Sequence, residues 1–252
     1  MSPENVSAVE PQPSGMSELS RLTGVFFEPS KAFADIAARP GFWVPLILTI
    51  LAGMAFTAAI GARIGWDRVI QQQMESRLEK MSPDQRAAAD SSIEMQKKFA
   101  PVFGYAAATL GPPIGYLVGS AVLLGIVAGI MSAPVKFKQI FAIFCYAGLP
   151  GLIFVVLAIV VMFLKANPAD FDIRNPLAFN AASFMDRQTS SKFVYSLASS
   201  IDLFTLWKIY LIAAGLKAAG GKKLSFAGAL TAVALPWAIL VLIGAALSGV
   251  FG

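Results

Sequence analysis

Five apolar stretches divide this chain, at 42–60, 107–133, 141–164, 194–216 and 226–250, each 19 to 27 residues long. A helix that crosses ~30 Å of hydrocarbon at ~1.5 Å of rise per residue needs about 20 such residues. Lipid offers the backbone no hydrogen-bond partner, so each N–H and C=O must be satisfied within the segment, and the stretches read as helices rather than buried strands. The sequence thus predicts an all-α membrane protein, a bundle of five transmembrane helices.

A soluble helical protein is the alternative that composition tests. With 56% hydrophobic and 14% charged residues and a mean hydropathy of +0.67, too little polar surface remains to coat a globule. Residues 46–50, 118–130 and 153–164 carry no charge on any helical face, so these helices have no polar side to turn to water. The net charge of +5 gathers in the connections, where it meets lipid headgroups, so no nucleic-acid partner follows. The bilayer is the partner that composition implies.

Catalysis finds little to work with. The chain has no histidine, which removes the usual general base and the commonest metal ligand. The single cysteine, Cys145, lies within the third stretch, so there is neither a disulfide framework nor a thiolate metal cluster. An intramembrane aspartyl protease needs two facing aspartates, and Asp202 is the only acid inside a stretch. No phosphate-cradling glycine loop or metal-ligand spacing occurs. The expectation is a protein that is not an enzyme, with no cofactor and no metal.

Outside the five stretches the chain has local order. Residues 1–17 hold Pro3, Pro11, Pro13, Glu4 and Glu10 without one basic residue and read as a disordered tail, leaving 18–252 as one membrane domain. Leu19, Leu22, Val25 and Phe26, then Phe33 and Ile36, recur at helical spacing on either side of Pro29. Two N-terminal helices fit, either lying in the membrane interface or covering the mouth of the bundle. Between the first two stretches, Trp66, Ile70, Met74, Leu78 and Met81 outline one amphipathic helix, and Ser82-Pro83-Asp84-Gln85 has the capping-box pattern that starts another. An extramembrane helical hairpin is predicted.

Orientation follows from the density of basic residues beside the spans. The short second and fourth connections carry Lys136, Lys138, Lys217, Lys222 and Lys223 and no acid, which assigns those ends and the N-terminus to the cytoplasm and the C-terminus to the outside. Raw counting points the other way, 8 basic residues inside (with Arg21, Lys31 and Arg39) against 11 outside. Density in short connections is preferred, because long hydrophilic ones translocate with less regard to charge.

Several short pieces then resemble a known family. Val25-Phe26-Phe27-Glu28-Pro29-Ser30-Lys31-Ala32-Phe33 precedes Trp43-Val44-Pro45-Leu46. Tyr146-Ala147-Gly148-Leu149-Pro150 follows in the third stretch, and Asp202-Leu203-Phe204-Thr205-Leu206-Trp207 with Gly215 in the fourth. In this order they resemble the bacterial branch of the Yip (Ypt/Rab-interacting protein) family of five-span membrane proteins. The resemblance makes Pro29, Phe33, Pro45, Tyr146, Pro150, Asp202, Phe204 and Trp207 family-motif positions and implies a bacterial inner membrane. Eukaryotic members are linked to Rab-type GTPases, but their Asp-Leu-Tyr-Gly-Pro element is replaced here by Phe26-Phe27-Glu28-Pro29, so GTPase binding is not implied.

Two sets of residues stand out as functional candidates. Gly111, Gly115 and Gly119 repeat every fourth residue in the second stretch, a smooth face for close helix packing, either within the bundle or as the seam of a homo-oligomer or membrane-protein partner. Gly53, Thr57 and Gly61 form a matching stripe in the first. Pro112-Pro113 and Pro150 should bend their spans and free upstream carbonyls. The second set is polar: Lys208 falls near the middle of 194–216, too deep to snorkel comfortably, and so needs a partner, a hydrated cavity or the loss of its proton. Asp202 lies ~9 Å of rise away but on another flank, which leaves Tyr146 as the expected partner of Lys208 and Asp202 as a cap near the outer side. Two functions remain: organising membrane or partner proteins, or transport of ions or lipids along the fourth span.

Overall fold

The computed structural model describes residues 15–78, 82–173, 175–186 and 189–251, which fold as ten α-helices. Of the expected disordered tail, residues 1–14 lie outside the described residues. Ser17 accepts a hydrogen bond from the Ser20 N–H at 3.2 Å and so starts α1 (Glu18–Phe27), and Pro29 at the first turn starts α2 (Pro29–Ala38). The two readings of these helices are compatible, and the packing of their apolar face on the bundle is observed. Val25, Ala32, Phe33 and Ile36 are fully buried and pack in one core with Ile140, Ile143, Leu211 and Leu216. Gln139 Nε2 donates to the Ala37 carbonyl at 2.8 Å and ties the end of α2 to the third span.

The first span is α3 (Trp43–Arg63). The hairpin follows as α4 (Trp66–Leu78) and α5 (Pro83–Leu124), with the capping box formed: Gln85 Oε1 accepts from the Ser82 N–H and Ser82 Oγ from the Gln85 N–H. Met81, assigned to the first amphipathic helix, lies outside the described residues. α5 continues into the second span for 42 residues, ~63 Å of helix, so about half of it stands clear of the hydrocarbon. It passes through Pro101, Pro112 and Pro113 and ends in a π-helical turn, Gly125–Ile130.

Spans three and four are each made of two helices. The third is α6 (Phe137–Ala147) and α7 (Pro150–Leu164), parted at Gly148 and Leu149. The fourth differs from the single helix expected over 194–216: α8 (Lys192–Ser200) stops, Ile201 and Asp202 are non-helical, and α9 (Leu203–Gly220) restarts. The cause is Asp202, which caps a new helix better than it continues an old one. α8 begins beside Gly249, near the end of α10 (Phe226–Phe251), and packs along it. Five segments are long and apolar enough to cross a membrane, Trp43–Arg63, Asp90–Ile130, Phe137–Leu164, Leu203–Lys223 and Phe226–Gly249.

Close packing falls on other glycines than the regular repeat. A Cβ at Gly53 would stand 3.4 Å from Ala108, and one at Gly104 would meet Thr57 and Trp66, so the first and second spans cross along Gly53–Thr57 and Gly104–Ala108. Of the repeat, Gly119 packs on the Phe144 ring, 2.7 Å from its Cβ position, whereas Gly111 and Gly115 have open space around theirs. Packing of Gly111 and Gly115 within the bundle is thereby corrected: seven residues beyond Gly104 and Ala108 on the same face of α5, they are exposed and no neighbouring helix reaches them. Gly215 is a close crossing in the core, its Cβ position 2.5 Å from Ile143 and 3.0 Å from Phe33.

Gly215→Leu should therefore lower stability in detergent by about 1–3 kcal/mol through overpacking, while Gly111→Leu leaves it unchanged. Thermal unfolding of the two variants checks the contrast, and equal loss at both sites would contradict this packing.

Candidate functional site

Interrupting a helix within a bilayer exposes polar backbone, and such breaks persist only where protein or a cavity receives them. At the third-span break, Gly148 and Leu149 turn their N–H groups back to the Phe144 and Tyr146 carbonyls. At the fourth-span break, an incoming strand-like segment supplies partners: Leu203 N–H donates to the Phe179 carbonyl at 3.1 Å and Ala181 N–H to the Ile201 carbonyl at 3.3 Å. Asp202 Oδ1 accepts from the Phe204 and Thr205 N–H groups at 2.9 and 3.0 Å, closing the first turn of α9. The two breaks lie side by side, with the Phe154 and Phe204 rings edge to face at 5.4 Å.

Two cavities open where they meet. The inner one, of about 360 Å³, is walled by the first four spans and lined by Thr49, Gly53, Ala108, Pro112, Tyr116 and Lys208 among others. Proline at 112 cannot donate, which leaves the Ala108 carbonyl of this wall without its helical partner. The half-buried Lys208 ammonium stands 5.0 Å from the centre of the Tyr116 ring, an arrangement in which the ring's negative face attracts the cation. Tyr116 lines the cavity beside Thr49 and rests on Gly148, where any side chain would collide with its hydroxyl. Among the described residues no carboxylate forms a salt bridge with Lys208. The outer cavity, of about 310 Å³, is lined by Asn175, Asn180, Ser199 and Asp202. Gly151, Phe154, Phe204 and Thr205 line both. Gly151 is exposed, with open space at its Cβ position, halfway along the third candidate span, so the lining of the inner cavity reaches the flank of the bundle there.

Tyr146 is not the partner of Lys208. Its fully buried hydroxyl points the other way, donating to Glu18 Oε1. There it joins a cluster that pins α1 and α2 to the third span. Arg21 Nε donates to Asp35 Oδ2 at 2.6 Å, Asp35 Oδ1 receives Arg39 and the Met16 N–H, and Arg21 stands 3.6 Å from Glu18. Burial disfavours the charges on Arg21 and Asp35, yet their mutual hydrogen bond and the further donors around Asp35 outweigh it. The Asp35 carboxyl is held below its usual range and the Arg21 guanidinium above its own. None of Glu18, Arg21, Asp35 and Tyr116 stood out in the sequence. The one legible sign was Arg21 four residues before Val25, an arginine on the apolar face of its helix.

The motif positions have architectural work. Phe33 fills the space at Gly215, Pro45 is buried and its carbonyl accepts from Thr49, and Pro150 opens α7. Trp207 meets Phe26 edge to face at 5.8 Å, joining α9 to α1. An all-helical bundle with five candidate spans and a cavity walled by four of them defines a polytopic membrane protein. The chain belongs to the Yip family: the Yip1 domain model matches residues 23–247. No curated protein and no solved structure matches it.

The lowered Asp35 pKa sets a pH signature. A carboxyl whose pKa falls on folding contributes stability that is complete above its unfolded pKa and is lost as pH drops through the folded one. Asp35→Asn should cost about 3 kcal/mol at neutral pH, as expected for breaking a buried pair, and the gap to the parent protein should close in acid. Thermal unfolding against pH measures it; a gap that widens in acid would refute the assignment.

Proposed function

We propose that this Yip-family protein is a non-enzymatic component of a bacterial cytoplasmic membrane that takes an amphipathic ligand from the bilayer into the groove beside Lys208, and so serves in lipid translocation or transport. The observation that carries the reading is the groove itself. A cation without a carboxylate partner among the described residues, a freed carbonyl at Ala108 and two helix breaks converge on a cavity whose rim, at Gly151, faces lipid. Broken helices meeting at mid-depth are the usual construction of a membrane binding site, and an unpaired intramembrane cation is costly enough to need a reason. Entry from the side favours a lipid over an aqueous ion. Tyr146 has no part in the path.

Reconstitution tests this directly. In liposomes of phosphatidylethanolamine and phosphatidylglycerol carrying a trace of fluorescent lipid, the protein should speed transbilayer exchange at least ~tenfold over empty vesicles, about 1.4 kcal/mol of barrier, and Lys208→Met should abolish the gain. Exchange unaffected by Lys208→Met removes the groove from the mechanism.

A second reading, organisation of partner proteins or a homo-oligomer, is favoured by the outward-facing Gly111 and Gly115, which leave α5 a smooth face for another helix. GTPase binding has no support in the motif before the first span.

The orientation we infer has the N-terminus inside and the C-terminus outside. The bond from Gln139 to Ala37 brings the end of α2, and Arg39 after it, to the end of the bundle that carries Lys136, Lys138, Lys217, Lys222 and Lys223, and such a basic end stays in the cytoplasm. In a Cys145→Ser background, Lys222→Cys should react only after the membrane is permeabilised; labelling in intact cells would invert the topology.

A further inference from the structure

The charge pattern of the two joined cavities is more specific than a lipid path requires. The lining of each cavity includes one side chain that is charged at neutral pH, and the two are opposite in sign: Lys208 in the inner, Asp202 in the outer. They sit six residues apart on one helix, ~9 Å of rise, and on different flanks, too far for a direct pair. Resting on the uptake of a lipid argued above, we propose that the paired cavities seat a zwitterionic phospholipid headgroup, its phosphate against Lys208 and its ammonium against Asp202.

Both side chains have capacity to spare. Lys208 is engaged by the Tyr116 ring and by no carboxylate among the described residues. The two N–H groups that Asp202 caps both bind Oδ1, and among the described residues Oδ2 accepts no hydrogen bond. Holding two opposite charges apart in a low dielectric is costly, since each keeps its desolvation penalty and neither gains the other's attraction. A ligand that carries both complementary charges a few ångströms apart offsets the two penalties at once. A purely anionic headgroup would satisfy Lys208 and face repulsion from Asp202. A purely cationic amphiphile would do the reverse.

The surroundings suit the same occupant. Ser199, Asn175 and Asn180 make the outer cavity polar. Asn180 is fixed by its bonds to Asn175 and Ser183, so the rim around Asp202 is held rather than loose. The inner cavity is otherwise walled by Ala52, Gly53, Leu152 and Val155 and opens past Gly151, which leaves the acyl chains in the bilayer.

The full-length chain in detergent, titrated with phosphatidylethanolamine or with phosphatidylglycerol and read by native mass spectrometry, decides the matter. The expected result is at least ~tenfold tighter binding of phosphatidylethanolamine, the size of one charge-assisted contact. Asp202→Asn keeps the capping oxygen and removes the charge, so it should bring the two lipids to parity without weakening phosphatidylglycerol. Lys208→Met should weaken both lipids ~tenfold. Soluble phosphoethanolamine added as competitor identifies the source. Competition at comparable concentration means that the headgroup alone suffices, and its failure beside an intact lipid preference assigns the site to membrane lipid. No preference in the parent protein, or a preference that survives Asp202→Asn, overturns the proposal. If Lys208→Met weakens both lipids while Asp202→Asn keeps the preference, the headgroup assignment falls and lipid uptake stands; if neither variant alters binding, both fall. Should Lys208→Met fail to fold, the ratio in Asp202→Asn decides alone.

Discussion

The structure depends on one constraint, that peptide groups inside a bilayer cannot be left to solvent. Three of the spans obey it by staying helical. The other two break it locally, and the rest of the fold is arranged to receive the broken ends. Phe179 and Ala181 come in from the connection between spans to bond the backbone around Asp202, and Asp202 itself takes the first free N–H groups of α9. At the other break Pro150 supplies no N–H to satisfy, and Tyr116 fills the room left by Gly148. The groove is what remains between these repairs.

Much of the bundle was legible because hydropathy in lipid is a strong, local signal: helix content, five candidate spans and the capping box at Ser82 follow from residues close in sequence. The break at Asp202 was partly legible. Its capping role was anticipated, but an aspartate in an apolar run does not say whether the helix ends there or merely tolerates it. That depends on whether residues 179–181, more than twenty positions upstream, arrive to pair with it. Lys208 could be flagged as needing company, yet its neighbour came from a different span than Tyr146, since the identity of a partner is a tertiary fact. The regular glycine repeat misled for the same reason. Spacing defines a smooth face but not how far along it a neighbouring helix stays in contact, and Gly104 with Ala108, one heptad earlier on the same face, makes the crossing with α3.

The N-terminal helices show a different coupling. Arg21 and Asp35 join α1 to α2, while Tyr146, one turn before the third-span break, joins them to the bundle through Glu18. Adjacent residues of the chain, Cys145 and Tyr146, thereby face two environments: Cys145 lies toward Lys208, and Tyr146 belongs to the clamp on the N-terminal helices. A shift of α6 would be felt on both sides, which makes this helix the mechanical link between the N-terminal cover and the groove.

The division of the fourth span also bears on how the protein is made. α8 has 9 residues and α9 has 18, ~14 Å and ~27 Å of helix, so α8 is too short to cross the hydrocarbon and the crossing falls to α9 and the turn after it, Leu203–Lys223. Its apolar window is also the weakest of the five, with mean hydropathy 1.3. α8 finds its neighbour in α10, so the placement of the fourth and fifth spans is coupled, and the outer cavity, with Ser199 of α8 in its wall, is complete only when the two have packed.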